Sequence, residues 1–388
     1  HPDAIIAIAA SKNSKALTAE IFGDDIGWLP WKRPGYELGL WLENFCLENP
    51  NARGVVLESH GLFTWDDDAK TCYSLTLEII QKAMDWFESK ADSQPAFGGA
   101  VHESLPPMKR RAVAAEIMPA IRGLICESQH MVGHFNDSPE VLEFVNAQQL
   151  QELAALGTSC PDHFLRTKIC PLVVDFNPNA QDVQLVINRL PQEIDDYRNA
   201  YRAYYARCKH ADSPALRDPN PIVYLLPGVG MITFAKDKAT ARISGEFYVN
   251  AINVMRGASS VSEYTGLLEQ EAFDIEYWAL EEAKLQRMPK PKSLAGRIAL
   301  ITGAAGGIGS ATAQKYLSEG ACVMLADIDG DGLSAAADRL KSQYGQDVVR
   351  AVVMNVTSEA EIAAAFQTTV LEFGGLDIVV SNAGIASS

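Results

Sequence analysis

The most regular alternation of apolar and polar segments lies in the last quarter of the chain. Four short, mainly apolar runs occupy residues 298–301, 322–326, 349–354 and 376–380, and a polar residue follows each of them. Segments with the helical spacing of apolar residues separate these runs, at residues 308–317, 335–340 and 360–373. Because strands that alternate with helices usually pair in parallel, the pattern predicts an α/β fold with a doubly wound parallel sheet.

The turn after the first of these strands carries a glycine pattern. Thr302-Gly303 is followed by Gly307 and Gly309, where the helix begins. Glycines let the backbone turn tightly and approach a pyrophosphate, whose charge is attracted by the first free N–H groups of the helix. Asp327 ends the second strand, 24 residues after Gly303, where an acidic residue can hydrogen-bond an adenosine ribose. The pattern predicts a dinucleotide site and favours NAD over NADP.

Residues 1–95 predict a mixed α/β region. We expect strands at residues 4–10 and 54–58, a short aromatic segment at residues 26–31, and helices at residues 36–47 and 69–87. His60 follows the second strand and precedes Gly61. A side chain at the end of a strand can point into a cleft, and a neutral imidazole there can ligate zinc. A single loop histidine is also common as a hydrogen-bonded structural residue, so both interpretations stay open for His60 alone.

The middle of the chain has helical patterns at residues 108–128, 140–156 and 261–285, and a weak internal repeat. The triplet CPD at Cys160 has the form of HPD at His1. The later segment VYLLPGVGMITFAKDKATA has the order of strand, glycine loop and helix of VVLESHGLFTWDDDAKTC. In this alignment Cys160 replaces His1, and Val229 replaces His60. A true second copy would have lost both histidines and would serve as a packing lobe or a substrate wall, although two short similarities can also arise by chance.

Two further groups of the middle region have weaker chemical patterns. His130 and His134 lie four residues apart, a spacing that can place two metal ligands on one helix edge. His163, Arg166 and Lys168 either contact a phosphate or form an ordinary polar loop. Neither group decides the function of the chain.

Two segments bear on packing and on the division of the chain. Four tyrosines between residues 194 and 208 have helical spacing and predict a packed stripe. Proline and lysine alternate in residues 287–293, which predicts a stiff, exposed linker between domains.

Composition narrows the class of protein. The chain has 388 residues, of which 47% are hydrophobic, and this length suggests two or three globular domains. A formal net charge of −16 argues against nucleic acid or an anionic membrane surface as a partner. No apolar run approaches about 20 residues, and no basic-then-apolar signal opens the chain, so we expect a cytoplasmic protein. The seven cysteines include no Cys-x-x-Cys pair and predict reduced thiols.

With these motifs, residues 294–388 resemble the first half of a short-chain dehydrogenase/reductase, a partial Rossmann domain. The resemblance implies that NAD binds at Thr302, Gly303, Gly307, Ile308, Gly309, Asp327, Asn355, Val356, Asn382, Ala383 and Gly384. Asn355 stands where the family usually has an aspartate near the adenine. The family transfers hydride with a serine and a Tyr-x-x-x-Lys, and no Tyr-x-x-x-Lys occurs after residue 294. We therefore assign no catalytic residue to this chain.

The first region resembles the zinc-dependent class II sugar-phosphate aldolases, on the pattern HPDAIIAIAAS followed by VVLESHGLFTWDDDAKTCY. The order of the two regions is that of the bifunctional rhamnulose-1-phosphate aldolase/short-chain dehydrogenase enzymes. This resemblance implies that His1 and His60 hold Zn²⁺ with a third histidine that would precede His1 by two residues, as well as an upstream carboxylate. It implies retro-aldol cleavage to dihydroxyacetone phosphate and lactaldehyde, and redox chemistry on the aldehyde or alcohol.

The expected division is residues 1–95 for the carboxyl-terminal part of a class II aldolase-like domain, 96–286 for an aldolase-associated region that is a candidate degenerate aldolase-like repeat, 287–293 for the linker and 294–388 for the amino-terminal half of the dehydrogenase domain. We expect an internal fragment of a homo-oligomeric enzyme that is inactive by itself. The alternative is an adducin-like binding or oligomerisation module fused to an oxidoreductase. Histidines at both matching positions favour the enzyme.

Overall fold

The computed structural model describes residues 1–90, 95–179, 182–287 and 289–384. Its strands form three sheets, and we refer to residues 1–90, 95–287 and 289–384 as the first, second and third units. The α/β class is confirmed, with a parallel strand pair in every sheet. The expected boundary after residue 95 adjoins residues 91–94, and residue 288 belongs to the expected linker; these five residues lie outside the described ranges.

The first unit is a three-stranded sheet covered by helices. Its elements are α1 (Asp3–Ala9), α2 (Ser14–Phe22), β1 (Ile26–Leu29), α3 (Tyr36–Glu48), β2 (Gly54–Leu57), β3 (Gly61–Thr64) and α4 (Ala69–Lys90). Strand β2 is central, parallel to β1 and antiparallel to β3. Ile8, Leu17 and Ile79 from the helices pack together in the core of this unit. His60 lies in the turn between β2 and β3.

Helix α1 shows that one prediction was wrong, because residues 4–10 were expected to form a strand. Pro2 precedes the helix with an extended backbone and Asp3 lies in the first turn, and both favour a helix start. Ile5 and Ile8 are fully buried, as are most of their neighbours in α1. A short helix that is buried on nearly every side has no polar face, so its sequence shows the continuous apolar run of a buried strand.

The second unit contains a four-stranded sheet in the order β4-β7-β6-β5. After a 3₁₀ turn (Ala96–Gly98), its elements are α5 (Pro107–Ile125), β4 (Val132–Asn136), α6 (Pro139–Val145), α7 (Leu150–Leu156), α8 (Pro161–Thr167), β5 (Leu172–Val173), α9 (Val183–Cys208), β6 (Val223–Leu226), β7 (Gly230–Ala235), α10 (Lys238–Val261), α11 (Glu269–Glu276) and α12 (Ala279–Gln286). Strand β6 is parallel to β5 and antiparallel to β7, the same pairing that β2 makes with β1 and β3.

Two predicted helices of the second unit are interrupted. Residues 140–156 form the short helices α6 and α7, separated at Asn146. The side-chain amide of Asn146 donates to the hydroxyl of Ser104, and its oxygen accepts the N–H of Gly228. Residues 261–285 also do not form one helix, since α11 begins only after an irregular segment that follows α10. Tertiary hydrogen bonds like those of Asn146 can interrupt a helix even where the apolar residues keep a helical spacing.

The tyrosine stripe on α9 is packed, as predicted. Tyr201 and Tyr204 are buried and donate hydrogen bonds to the carboxylate of Glu276 on α11. The ring of Tyr205 lies against Tyr277, with centroids 5.1 Å apart. These contacts hold α9 and α11 together inside the second unit.

The third unit is an open parallel sheet in the order β10-β9-β8-β11. Its elements are β8 (Ile298–Thr302), α13 (Gly307–Ser318), β9 (Cys322–Asp327), α14 (Gly330–Tyr344), β10 (Val349–Val353), α15 (Glu359–Phe373) and β11 (Ile378–Val380). All neighbouring strands pair in parallel. Every residue of β8 is buried, as expected for a strand covered by helices on both faces. The predicted alternation of strands and helices is therefore confirmed.

The third unit packs on the second through the amino ends of its strands. The guanidinium of Arg122 on α5 makes two hydrogen bonds, of 2.7 and 3.0 Å, to the carboxylate of Asp377 just before β11. It also donates to the carbonyl oxygen of Gly296, which precedes β8. Gly374 ends α15 against Gly133 of β4, so closely that a Cβ on either glycine would lie 2.8 Å from the Cα of the other. Close backbone contact and a shared ion pair join the two units.

Two expectations from composition concern membrane-spanning helices and the state of the cysteines. Within the described ranges, no helix combines the length and the apolar composition that a bilayer crossing requires. The seven cysteines are free thiols, as predicted.

Replacing Arg122 tests how much the ion pair contributes to this joint. The side chains of Arg122 and Asp377 are only 10% and 12% exposed. Arg122→Ala would remove the nearest cationic partner of a buried carboxylate, to which the guanidinium of Arg297 lies 3.6 Å away, and should lower the free energy of unfolding by about 3 kcal/mol. The control Arg207→Ala removes a pair whose side chains are 58% and 44% exposed, and it should cost at most about 1 kcal/mol. Urea denaturation measures both losses, and equal losses would contradict the role given to Arg122.

Candidate functional site

His60 lies in a tight turn at the end of the first sheet. Its amide N–H donates to the carbonyl oxygen of Leu57 at 3.1 Å, and Ser59 between them has a left-handed φ of 51°. A non-glycine residue in this conformation costs on the order of 1–3 kcal/mol, and such strain clusters at functional sites. The N–H of Ser59 donates to the carbonyl oxygen of Ala9. The turn is thus held against the carboxyl end of helix α1, the helix that follows His1 in the sequence.

The structure places the two predicted zinc ligands side by side. The ring centroids of His1 and His60 are 5.1 Å apart. Gly61 makes room for this contact, since a Cβ there would lie 2.8 Å from Cδ2 of His1. Trp31 and Phe63 flank His60, with ring centroids 6.2 and 6.3 Å from it. The glycine after the histidine is therefore required by the position of the neighbouring ring.

The environment of His60 keeps its imidazole neutral. The residue is 7% exposed, and burial, followed by the charge of His1, lowers the pKa of His60 to about 4. Its Nδ1 is buried and meets no hydrogen-bond partner among the described residues. A neutral imidazole with a free ring nitrogen is the form that binds a metal ion.

The second unit contacts His1 through Asp162 in the first turn of α8. The Nδ1–H of His1 donates to Oδ2 of Asp162 at 2.8 Å. This hydrogen bond, with a further contribution from Cys160, raises the pKa of His1 well above its usual range, and it lowers the pKa of Asp162. A charged imidazole therefore lies beside the neutral one, and metal binding at His1 would have to displace a proton.

A cavity of about 340 Å³ opens beside His1. Its other lining residues all belong to the second unit and are Cys160, Asp162, His163, Glu246, Phe247 and Asn250. Nε2 of His163 is hydrogen-bonded to Oδ1 of Asn250 at 2.6 Å. The side-chain amides of Asn250 and Asn253 donate to the carboxylate of Asp3 in α1. These contacts fix the cavity wall relative to the first unit.

Most of this wall carried no signal in the sequence. Glu246, Phe247 and Asn250 lie on α10, a helix with no chemical motif. Asp162 had a weak signal, because the CPD triplet places it at the position that Asp3 holds in HPD. Recognising the others requires knowing how the first two units pack.

Two groups that the sequence singled out are engaged elsewhere. The ammonium of Lys168 donates to the carbonyl oxygens of Asp218 and Asn220, so the suggestion that it contacts a phosphate was wrong. His134 lies on strand β4 and not on a helix. Its Nδ1 is 3.1 Å from Nζ of Lys238, whose ammonium would repel a metal ion. The suggested metal pair with His134 was therefore also wrong.

The two imidazoles are suitable zinc ligands, as two members of a larger set. His60 offers a neutral, unpaired ring nitrogen, and the ring of His1 lies next to it and lines the cavity. A catalytic zinc ion needs three protein ligands and one open position. In the described part of the chain, no group of three or more His, Cys, Asp or Glu side chains is arranged to hold a metal ion. His1 and His60 would therefore supply two ligands of a larger set.

The loop from β8 to α13 is a close backbone turn. A Cβ on Gly309 would lie 2.2 Å from the carbonyl oxygen of Gly303, and Gly303 itself has a φ of 66°. The hydroxyl of Thr302 accepts the N–H groups of Asn382 and Ala383 at 2.9 and 3.0 Å. These contacts join the ends of β8 and β11. Only glycine fits at the two close positions, which supports the approach of a pyrophosphate to the backbone.

The amino end of α13 is open to solvent. A Cβ on Gly307 would meet nothing within 4 Å, and Ile308 is 75% exposed. Asp327 ends β9 beside this turn, and its Oδ2 accepts the N–H of Ala305 at 2.9 Å. The carboxylate is therefore fixed next to the glycine turn, where a ribose would lie.

Asn355, Val356 and Gly384 lie at the same edge of the sheet. Oδ1 of Asn355 accepts both the N–H and the hydroxyl of Thr357, so it shapes the loop after β10. Val356 is 42% exposed, and a Cβ on Gly384 would meet nothing within 4 Å. The predicted cofactor residues thus gather at the carboxyl ends of the four strands, the edge at which open α/β sheets bind nucleotides.

The two candidate sites lie on opposite sides of the joint between the second and third units. The second unit contacts Gly296, Asp377 and Asp347, which all precede strands, and Arg242 of α10 bonds Asp347 at 3.0 Å. The cofactor residues lie at the other ends of these strands, about 17 Å away for a strand of five residues. Arg242 also pairs with Glu246, which lines the cavity beside His1.

Three family models match consecutive parts of the chain. The Class II Aldolase and Adducin N-terminal domain matches residues 1–86. Aldolase class II, second domain, matches residues 112–285. Short chain dehydrogenase matches residues 297–388.

The chain spans only part of the length of each relative that it matches. "Uncharacterized oxidoreductase YuxG" of Bacillus subtilis (strain 168) is 39% identical over 388 residues, which is all of this chain and 56% of that protein. D-threitol dehydrogenase of Mycolicibacterium smegmatis is 39% identical over 93 residues, 24% of this chain and 35% of the relative. The crystal structure of 3-ketoacyl-(acyl-carrier-protein) reductase from Brucella melitensis complexed with NADH is 38% identical, covers 24% of this chain and 36% of its own, and has a TM-score of 0.22.

Gly61→Ala should separate the two imidazole rings. The added methyl would collide with the ring of His1, while Gly61 has no left-handed φ that alanine would strain. In protein with isotope-labelled histidine, we expect the nuclear Overhauser effect between the rings of His1 and His60 to disappear. The control Gly39→Ala places a Cβ where nothing lies within 4 Å and should preserve it. A persisting effect in Gly61→Ala would contradict the described packing.

Proposed function

We propose, for a chain that carries class II aldolase domains followed by a short chain dehydrogenase domain, that the whole protein is a cytoplasmic, homo-oligomeric enzyme with two activities. The first is zinc-dependent retro-aldol cleavage of a ketose 1-phosphate. Rhamnulose 1-phosphate is the proposed substrate, giving dihydroxyacetone phosphate and lactaldehyde. The second is NAD-dependent redox chemistry on that aldehyde or the corresponding alcohol. The contact between the rings of His1 and His60, beside a cavity that His1 lines, is the observation that carries the proposal.

In the lyase site, His1 and His60 would hold zinc through their ring nitrogens. A bound zinc ion supplies Lewis-acid polarisation of the ketose carbonyl. His60 needs no deprotonation, because burial already keeps it neutral. Glu246 and Asn250 present polar groups at the cavity wall, where the hydroxyl groups of a sugar phosphate would bind. The second unit thus contributes the wall, and the first unit contributes the two ligands.

In the third unit, the proposed role is cofactor binding. The turn at Gly303 and Gly309 would receive the pyrophosphate at the amino end of α13. Asp327 would accept a ribose hydroxyl, and its charge would repel the 2′-phosphate of NADP. No Tyr-x-x-x-Lys occurs after residue 294, so these residues bind and orient the cofactor and we assign none of them a proton transfer.

His60→Ala tests the lyase half in the whole protein. Losing a residue that only hydrogen-bonds a metal ligand lowers metal affinity or activity by up to about 100-fold. Loss of the ligand His60 itself should therefore lower the rate of retro-aldol cleavage by more than about 100-fold. The cavity and the nucleotide edge lie on opposite sides of the joint, so the aldehyde should enter solution, where an added aldehyde-specific enzyme measures it. The control His210→Ala changes a largely exposed ring outside the cavity and should have no effect. No cleavage by the unsubstituted protein with zinc would refute the lyase and favour a binding module.

Asp327→Ala tests the assignment of NAD. Removing the carboxylate should weaken NADH binding and leave NADPH binding unchanged or stronger, because a ribose acceptor and a repulsive charge are lost together. The control Asp338→Ala changes an acidic residue on α14 that has no part in the proposed cofactor site. Fluorescence titration with the two cofactors measures the ratio of affinities. An unchanged preference in Asp327→Ala would remove this residue from the cofactor site.

A further inference from the structure

We propose that Asp162 of the second unit is a positioning residue for His1, which fixes the imidazole so that its Nε2 faces a metal ion. This inference rests on the proposed zinc-dependent lyase. It assigns a function in the site of the first unit to a residue of the other aldolase-like unit.

The geometry leaves only one nitrogen of His1 available. Oδ2 of Asp162 accepts the Nδ1–H of His1 at 2.8 Å, so Nε2 is the atom that can bind a metal ion. Metal-binding histidines commonly donate their second N–H to a carboxylate, which sets the tautomer and the ring orientation. Gly61 adds a steric limit, because the ring of His1 lies where a Cβ on that residue would be. A hydrogen bond on one side and backbone on the other confine the ring.

Asp162 is itself held by the packing of three helices. It lies in the first turn of α8, which begins at Pro161. The next residue, His163, is fully buried and is hydrogen-bonded to Asn250 of α10. Asn250 also donates to Asp3 of α1. The amino ends of α1 and α8 are therefore bound to one point on α10, which sets the distance between Asp162 and His1.

A plain surface ion pair is the simplest competing explanation. The side chains of His1 and Asp162 are 36% and 53% exposed, and pairs of this kind contribute little to stability. The chain offers a matched comparison in His210 and Asp274, whose Nε2 to Oδ1 distance is also 2.8 Å. That pair lies outside the cavity beside His1. A positioning role predicts that only the Asp162 pair affects metal binding.

The experiment measures zinc affinity by competition with a chromogenic chelator. For this measurement, residues are added ahead of His1, so that its α-amino group cannot chelate the metal. Asp162→Asn should bind Zn²⁺ about 10- to 100-fold more weakly than the unsubstituted protein. Asp162→Glu keeps a carboxylate and should recover part of the affinity. Asp274→Asn should bind zinc as the unsubstituted protein does.

A second readout needs no metal. The Nδ1–H of His1 should give a downfield proton resonance that exchanges slowly with solvent, and Asp162→Asn should remove it while Asp274→Asn does not. Unchanged zinc affinity in Asp162→Asn, or an unchanged resonance, would overturn the proposal. If the unsubstituted protein binds no zinc, the proposed lyase site fails, and the resonance alone then decides whether Asp162 orients His1.

Discussion

The packing of α1 against α10 determines where the candidate lyase site lies. Two amides of α10, from Asn250 and Asn253, hold the carboxylate of Asp3, two residues after His1. Asn250 also bonds His163, so the same short stretch of helix positions α1 and α8. The cavity beside His1 exists because two segments far apart in the sequence share this one support. The cavity beside the histidine pair is therefore a property of two packed units and not of the first unit alone.

The same helix reaches the dehydrogenase domain at its other end. Lys238 begins α10, donates to the carbonyl oxygen of Gly133 and has its pKa lowered to about 8 by burial. One turn later, Arg242 bonds both Asp347 of the third unit and Glu246 of the cavity wall. Helix α10 thus has the cavity beside His1 on one side and the joint with the third unit on the other. The nucleotide edge points away from both, because the third unit is held by the amino ends of its strands.

Much of the third unit could be predicted from sequence, because each apolar run is a strand buried on both faces and each turn carries its own chemistry. The turn at His60 could also be placed, although its strain at Ser59 could not. The second unit has the same turn, with Gly228 at a φ of 75° and a bond of 3.1 Å from Val229 to Leu226. This repeated turn and strand pairing favour an internal duplication.

The sequence was least informative where tertiary packing decides. A buried helix shows the same continuous apolar run as a buried strand, so a strand was predicted where helix α1 lies. Lys168 and His134 have partners distant in sequence that no local pattern indicates. For the same reason, the contribution of α10 to the cavity could not be predicted.

The central claim is that a zinc ion binds at His1 and His60 in the whole protein, and X-ray absorption spectroscopy of the zinc-loaded protein tests it most directly. The account predicts nitrogen ligands at about 2.0–2.1 Å with the outer-shell scattering of at least two imidazoles. One imidazole should be lost in His60→Ala. Zinc bound mainly by sulfur at about 2.3 Å, or a spectrum unchanged by that substitution, would contradict the claim.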